Sequence, residues 1–130
     1  MPDQPGPVPR DPAGRDAMVT AMCAAVDRGD AAAFSAWFAD DTVYRFGNAD
    51  ELHGRAAVLA ATEGAAGALP WVRHTVDQVA HVGDQLFCRF TIATADRGGS
   101  ELHLPCVTVI GIEDDAIADY RVHMDMTPAF

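Results

Sequence analysis

The sequence predicts an α+β domain, and three observations support that fold class. Hydrophobic residues recur at helical spacing in three segments of the first half, whereas the chain after Pro70 alternates between apolar and polar residues as β-strands do. Clusters of glycine, aspartate and serine separate the alternating segments and suit hairpin turns. The length of 130 residues suits one domain with a single core. Helices followed by antiparallel strands are typical of a sheet whose helices cover one face.

Three helices are predicted before the run of strands. The first covers residues 15–27, because apolar side chains repeat there at intervals of three and four residues. The second is short and begins after Asp30, a residue type that caps helix N-termini. The third covers residues 55–66 and is rich in alanine. The apolar residues that mark the helices' inner faces are Met18, Met22, Ala25, Val26, Phe34, Trp37, Phe38, Val58 and Leu59.

Strands are predicted between the second and third helices and throughout the second half of the chain. Their ranges are 42–46, 71–82, 86–95, 102–112 and 117–126. Residues 1–14 are rich in proline and are predicted to form a flexible arm. The predicted organisation is therefore this arm followed by one α+β domain over residues 15–130.

The charge balance excludes several classes of function. The chain has 19 acidic and 9 basic residues, a net charge of −10, and every basic residue is arginine. Without lysine, neither Schiff-base chemistry nor a phosphate-binding P-loop is available. An acidic protein is a poor binder of nucleic acid, and no apolar run reaches the roughly 20 residues of a membrane span. We therefore expect neither nucleic acid nor a membrane as a partner.

The histidines and cysteines show no spacing that is typical of a metal site. Cys23, Cys88 and Cys106 are far apart, have apolar neighbours and are odd in number. These features are typical of reduced thiols in a core, so we expect a cytoplasmic protein. No metal and no cofactor are expected.

Three segments carry a family resemblance. The sequences DRGD (residues 27–30), FADDTVYRFGNA (residues 38–49) and ADYRVHMD (residues 118–125) together resemble the SnoaL-like branch of the nuclear transport factor 2-like superfamily. The resemblance covers about residues 15–127. It implies a cone: a curved, mixed or antiparallel sheet of about six strands with three helices, enclosing one pocket. This cone hosts isomerases, epoxide hydrolases, polyketide cyclases and non-catalytic binders, so it implies no single function.

The resemblance also implies which residues face the pocket. His103 is the expected general acid or base, Arg89 and Tyr44 are expected to stabilise developing negative charge, and His74 is a second candidate histidine. A register error would place Arg89 outside. The residues expected to bind the substrate are Trp37, Phe46, Asn48, Thr91, Val107, Tyr120, Val122 and Met124.

Two mechanisms of the superfamily are not expected. In the resemblance to ketosteroid isomerases, the apolar residues Phe46, Met22 and Val107 stand at the catalytic positions. In the resemblance to limonene epoxide hydrolase, Tyr44 and Arg89 match, but the water-activating residues do not. The residues that replace its asparagine and both aspartates are Phe46, Thr91 and Val122.

The outer face of the sheet is predicted to form a homodimer. The same register points Asp119, Arg121, His123 and Asp125 outward, where relatives commonly dimerise. It also points an apolar set outward, which a partner sheet or, as the alternative, the proline-rich arm would cover: Leu86, Cys88, Phe90 and Ile92. A slip of one residue in the last strand would instead turn His123 and Asp125 into the pocket as an acid–base pair.

The expected function is that of a cofactor-independent cyclase, isomerase or epoxide-opening enzyme. Its substrate is expected to be an apolar, polyketide-like natural-product intermediate that supplies its own nucleophile. One alternative is a non-catalytic carrier that holds a hydrophobic ligand in the same cone. Another is a pure dimerisation module, for which the cone would be closed and filled.

Overall fold

The computed structural model of the protein describes residues 7–130. The helices are α1 (Pro12–Asp27), α2 (Ala31–Ser35) and α3 (Arg55–Ala68), and a short 3-10 helix covers Thr127–Ala129. The strands are β1 (Phe38–Phe46), β2 (Leu52–His53), β3 (Val72–Val82), β4 (Gln85–Ala95), β5 (Glu101–Glu113) and β6 (Ala116–Met124). The prediction of an α+β fold is confirmed. Within residues 7–130, no helix is long and apolar enough to cross a membrane.

The strands form one open, mixed sheet in the order β2-β1-β6-β5-β4-β3. All neighbouring pairs are antiparallel except β1 and β6, which are parallel. Irregularities interrupt the register of β1, β3 and the β5–β6 pair, and such bulges increase the twist and bend of a sheet. The curved sheet has an inner face, which the helices cover, and an outer face.

Capping residues set the bounds of the first two helices. Asp11 accepts a hydrogen bond from the Gly14 N–H at 2.8 Å, and Pro12 occupies the first turn, where its missing N–H costs nothing. Gly29 follows α1 with a positive φ of 75°, which glycine adopts without strain. Asp30 then caps α2 by accepting from the Ala33 N–H at 3.0 Å.

The segment before α1 differs from the predicted flexible arm. Residues 1–6 of that arm lie outside the described residues, but Val8 is 3% exposed and belongs to the core. The Val8 N–H donates to the Asp115 carbonyl at 2.9 Å, and Arg10 forms an ion pair with the same residue. Helix α1 begins at Pro12, three residues earlier than predicted, because Asp11 and Pro12 form its start. Val8 and Arg10 therefore attach this segment to the turn between β5 and β6.

The core lies between helices α1 and α2 and the inner face of the sheet. Met18, Val19 and Met22 of α1 are almost completely buried there. The strands contribute a matching set of buried residues: Phe38, Leu86, Cys88, Ile110 and Ile117. Burial of this apolar surface is the main term that holds the helices on the sheet.

The orientation of β4 and β5 is opposite to the prediction. Registered partners on neighbouring strands share a face, and the structure aligns Phe90 with Cys106 and Cys106 with Met124. Because Met124 faces inward, Cys106 and Phe90 face inward with it. The apolar residues predicted to point outward lie on the inner face and are buried: Leu86, Cys88, Phe90 and Ile92. The residues predicted to point into the pocket from these strands lie on the outer face: Arg89, Thr91, His103 and Val107.

The other strands have the predicted orientation. Tyr44 and Phe46 of β1, His74 of β3, and Val122 of β6 all face inward. The alternating polar residues of β6 point outward, so the one-residue slip considered for this strand does not occur. Asp125 lies beyond the end of β6, where it accepts a hydrogen bond from the Thr127 N–H at 2.9 Å.

Candidate functional site

One cavity of about 550 Å³ opens between the inner face of the sheet and the helices. Its walls come from all six strands, from α3 and from the junction of α1 and α2. The strand residues are Tyr44, Phe46, Leu52, Val72, His74, Phe90, Ile92, Cys106, Thr108, Tyr120, Val122 and Met124. The helical side contributes small and apolar residues: Val26, Phe34, Ala61, Thr62, Ala65 and Leu69. A mostly apolar cavity of this size with a few polar groups is typical of a small-molecule site.

His74 contributes an imidazole to the cavity wall, and Asp27 holds this ring in place. The Nδ1 of His74 lies 2.6 Å from Oδ1 of Asp27. The backbone N–H of His74 donates to the same carboxylate at 2.9 and 3.1 Å. Both side chains are mostly buried. With the carboxylate ionised, Nδ1 carries the ring proton and the Nε2 lone pair remains available to a ligand.

The packing of α1 on β3 brings these two residues together. Asp27 is the last residue of α1, and His74 lies near the start of β3, against which α1 packs. A second pair, His81 and Asp16, joins the same two elements at their other ends, with Nε2 and Oδ1 2.8 Å apart. The two histidines are seven residues apart and would face opposite ways on a regular strand, but the bulge in β3 turns both toward α1.

Tyr44 and Tyr120 form a second polar region of the wall. Their rings are stacked, with centroids 5.5 Å apart and planes at 5°. Burial raises the pKa of Tyr44 to about 12 and raises the pKa of Tyr120 well above its usual value of 10.0. Both hydroxyls therefore stay protonated near neutral pH and can donate hydrogen bonds. Among the described residues, neither hydroxyl has a hydrogen-bond partner.

The cysteines are not prepared for nucleophilic chemistry. Burial raises the pKa of Cys23 and of Cys88 to about 12, and it also raises that of Cys106. Cys106 lines the cavity and its Sγ lies 3.7 Å from Oγ1 of Thr108. Since the thiolate is the reactive form, these residues act as apolar wall and core.

Four residues predicted for the site lie on the outer face instead. His103 pairs there with Glu101, with Nε2 and Oε2 2.9 Å apart. Thr91 donates to Oδ2 of Asp77 at 2.7 Å. Arg89 and Val107 are exposed, and they lie opposite each other on β4 and β5. The structure therefore does not bring Arg89 or His103 to the cavity.

Two further predicted residues, Trp37 and Asn48, do not line the cavity. Trp37 is half-buried and packs on the core, and its carbonyl accepts from the Ile117 N–H at 3.0 Å. Asn48 lines a separate depression of about 150 Å³ together with Arg45 and Arg121. Of the predicted substrate-binding residues, those that do line the main cavity are Phe46, Tyr120, Val122 and Met124.

Sequence reasoning missed Asp27. The DRGD segment that contains it predicts the end of the first helix and carries part of the family resemblance, but neither points to a site residue. The signal for Asp27 is its place: a carboxylate directly after the apolar face of α1, three turns beyond Asp16. Cys106 and Thr108 were missed because the orientation of β5 was inverted. Across residues 7–130, no three histidine, cysteine or carboxylate side chains converge as a metal site would require.

The structure defines a small α+β domain with a curved, open sheet and an apolar cavity on its inner face, and the sequence comparison assigns the chain to a family. A family model described as a SnoaL-like domain matches residues 19–120, so the chain belongs to the SnoaL-like domain family. The predicted resemblance is confirmed. Comparison of the sequence with curated proteins finds no match.

Solved structures with the same fold include proteins from several bacteria. A protein with a ketosteroid isomerase-like fold from Catenulispora acidiphila, in complex with trimethylamine, has a TM-score of 0.78 and 18% identity, covering 86% of this chain and 88% of that one. The epoxide hydrolase/cyclase-like enzyme SalBIII, which acts in pyran ring formation in the polyether salinomycin, has a TM-score of 0.76 and 19% identity, covering 92% and 97%. A putative SnoaL-like polyketide cyclase from a Jannaschia species has a TM-score of 0.70 and 18% identity, covering 86% and 90%. At these identities the likeness shows the fold, and the neighbours include cyclase-type enzymes.

Proposed function

We propose that the protein is a cofactor-independent enzyme that cyclises or isomerises an apolar natural-product intermediate, with His74 as its general acid and base. The observation that carries this proposal is the pairing of His74 with Asp27 in the wall of an apolar cavity. The membership of a family whose structural neighbours include cyclase-type enzymes supports the same reaction class.

The chemistry follows from the orientation of the imidazole. Asp27 accepts a hydrogen bond from the Nδ1–H of His74, which fixes one tautomer and leaves Nε2 as the base. Nε2 takes a proton from a carbon next to a substrate carbonyl, and the electron pair of that C–H bond becomes an enolate. The imidazolium that forms is stabilised by the Asp27 carboxylate. The hydroxyls of Tyr44 or Tyr120 donate to the developing oxyanion, in the role first predicted for Arg89 and Tyr44.

The enolate then has two outcomes. Attack on a second carbonyl carbon of the same molecule forms a C–C bond and closes a ring, and the imidazolium returns its proton to the new alkoxide. Where a C=C bond of the substrate is conjugated with the enolate, the imidazolium instead returns its proton to the γ carbon and gives an isomer with a shifted double bond. In both cases the cavity contributes by holding the substrate in a reactive conformation, because the reacting groups belong to one molecule.

Hydrogen–deuterium exchange of 2-tetralone, a neutral bicyclic ketone, tests the proposed base. In D₂O the exchange at C1, followed by NMR, measures proton abstraction without knowledge of the natural substrate. We expect the wild-type protein to accelerate the exchange and His74→Asn to lower the catalysed rate by at least about a hundredfold. Asp27→Asn is expected to give an intermediate rate because it releases the imidazole.

His81→Asn is the matched control for this experiment. His81 lies on the same strand and pairs with a carboxylate of the same helix, but it does not line the cavity. The exchange rate of this variant should equal that of the wild type. Equal rates for the wild type and His74→Asn would show that His74 is not the base.

A non-catalytic carrier of a hydrophobic ligand is the second candidate. It is favoured by the outward position of Arg89 and His103, which leaves no arginine in the cavity wall among residues 7–130. A carrier would bind apolar molecules in the cavity and would give no exchange of 2-tetralone above the buffer rate.

A further inference from the structure

The hydroxyl of Tyr120 is an unpaired hydrogen-bonding group in an apolar cavity. The residue is 9% exposed, and no described residue provides a partner for its hydroxyl. Among the described residues, only Thr42 Oγ1 is both fully enclosed and without a partner. The Tyr120 hydroxyl is therefore accessible to solvent or a ligand. Since Tyr120 lines the cavity, we take the cavity as the place where the hydroxyl is accessible. A buried polar group without a partner costs free energy unless a ligand or water satisfies it.

The Tyr120 ring has little freedom to turn its hydroxyl elsewhere. Phe34 meets it edge-on with centroids 5.6 Å apart, and Phe38 packs at 5.3 Å. Tyr44 stacks on it at 5.5 Å and carries a second hydroxyl in the same cavity. The aromatic packing therefore holds both donors in place before a ligand binds, which lowers the entropic cost of binding.

The charges around the cavity disfavour ionic ligands. None of the described residues in its wall is an arginine, and Asp50 stands in the wall as an acidic residue. The carboxylate of Asp27 is already paired with His74. An anionic ligand would lose its hydration without gaining a cation, and such desolvation is costly. A cationic ligand would find Asp27 already paired with His74, and Asp50 is exposed, so that solvent and salt screen its charge.

We propose that Tyr120 and Tyr44 form a recognition site for an uncharged oxygen, such as a carbonyl or phenol, and that the cavity selects neutral ligands against carboxylates and ammonium ions. The inference rests on the proposed function only in taking the same cavity as the ligand site. It names the class of molecule that enters: a neutral, oxygen-bearing ring system.

Three probes of one size and shape test this selectivity. The affinities of 2-naphthol, 2-naphthoate and 2-(aminomethyl)naphthalene are measured by NMR titration of the full chain at pH 7. We expect 2-naphthol to bind at least about tenfold more tightly than either charged probe. Tyr120→Phe should weaken 2-naphthol binding by about three- to tenfold, as expected for one lost hydrogen bond, and Tyr44→Phe should act in the same direction.

Thr62→Val is the matched control because Thr62 also lines the cavity. Its hydroxyl already donates to the Val58 carbonyl at 2.8 Å, so its removal should leave 2-naphthol binding unchanged. Tyr120→Phe should also keep the thermal midpoint of the wild type, since the hydroxyl it removes has no hydrogen-bond partner in the part of the chain that the structure describes.

Three results would overturn the inference. They are equal or tighter binding of a charged probe, unchanged affinity of Tyr120→Phe for 2-naphthol, and no binding of 2-naphthol at millimolar concentration. The binding experiment is independent of the test of the proposed function, because it measures affinity and not turnover. Selective binding without exchange of 2-tetralone would refute the proposed enzymatic function and support the selectivity for neutral ligands. Exchange without selective binding would support the enzymatic function and refute the selectivity.

Discussion

The carboxylate of Asp27 accepts hydrogen bonds from both the backbone and the ring of His74, and so joins the end of α1 to the start of β3. The ring contact is 2.6 Å and the backbone contacts are 2.9 and 3.1 Å. The same carboxylate therefore has two consequences: it orients the imidazole toward the cavity and it fixes the helix on the sheet. The second consequence can be measured as stability.

Asp27→Ala should lower the free energy of unfolding by about 2–3 kcal/mol, because hydrogen bonds to a mostly buried charged group are lost. The comparison variant is Asp16→Ala, which breaks the equivalent pair with His81. The Asp16 side chain is 54% exposed, so this loss should stay below about 1 kcal/mol. Urea unfolding of both variants checks the prediction, and equal losses would contradict it.

Arg15 is expected to be a major contributor to stability although it lies far from the cavity. It is 7% exposed, and its guanidinium donates to the Pro9 carbonyl at 2.7 Å, the Gly83 carbonyl at 3.3 Å and Asp84 at 3.1 Å. It thus ties the segment before α1 to the turn between β3 and β4. Arg15→Ala should lower the free energy of unfolding by about 2–3 kcal/mol, through lost charged hydrogen bonds and lost packing of the side-chain stem.

Arg10→Ala is the control for this prediction. Arg10 pairs with Asp115 at the surface, and its side chain is 83% exposed. Solvent screens such a pair, so the denaturant midpoint of Arg10→Ala should remain that of the wild type. A larger midpoint shift for Arg10→Ala than for Arg15→Ala would show that burial of Arg15 is not important for folding.

Stability should fall at alkaline pH because buried thiols and phenols resist ionisation. Burial, with smaller effects of neighbouring groups, raises the pKa of Cys23 from 9.0 to about 12 and that of Tyr44 from 10.0 to about 12. The unfolded chain therefore releases these protons at lower pH than the native protein does. The contribution of these protonated groups to the free energy of unfolding is fully present below pH 9. It is lost progressively as the pH rises toward 12.

Urea unfolding between pH 8 and pH 11 measures this effect. We expect the midpoint to decrease across the range, and we expect Cys23→Ala to show a shallower decrease than the wild type. A midpoint that does not change with pH in this range would contradict the assignment of these groups as buried and protonated.

The comparison of β4 with β6 shows what the sequence could and could not predict. On β6 the resemblance and the burial of apolar residues point the same way, so Tyr120 and Val122 were placed correctly. On β4 they conflict: alternation alone would bury Phe90 and Ile92, whereas the family register turned Arg89 inward. The structure follows the hydrophobic alternation, because an apolar row left in water costs more than any contact that Arg89 could make in the cavity.

The His74–Asp27 pair marks a different limit. The inward orientation of His74 was predictable, but its partner lies 47 positions away in the sequence on another element. Such a contact depends on how α1 packs on β3 and on the bulge in that strand, and neither follows from spacing in the sequence. The Tyr44–Tyr120 stack depends in the same way on the parallel pairing of β1 with β6.

Dimer formation through the outer face of the sheet stays a prediction, and the structure changes its basis. The apolar residues first expected to support it are buried in the core, and the exposed ones on that face include Phe87 and Val107. Arg89 lies beside Val107, and arginine and aromatic residues are enriched at interfaces.

The wild type should elute with about twice the monomer mass of 13.8 kDa in light scattering. Val107→Asp should give monomers, whereas Thr20→Asp, on the exposed face of α1, should not. A monomeric wild type at high micromolar concentration would show that this face does not bind a second copy.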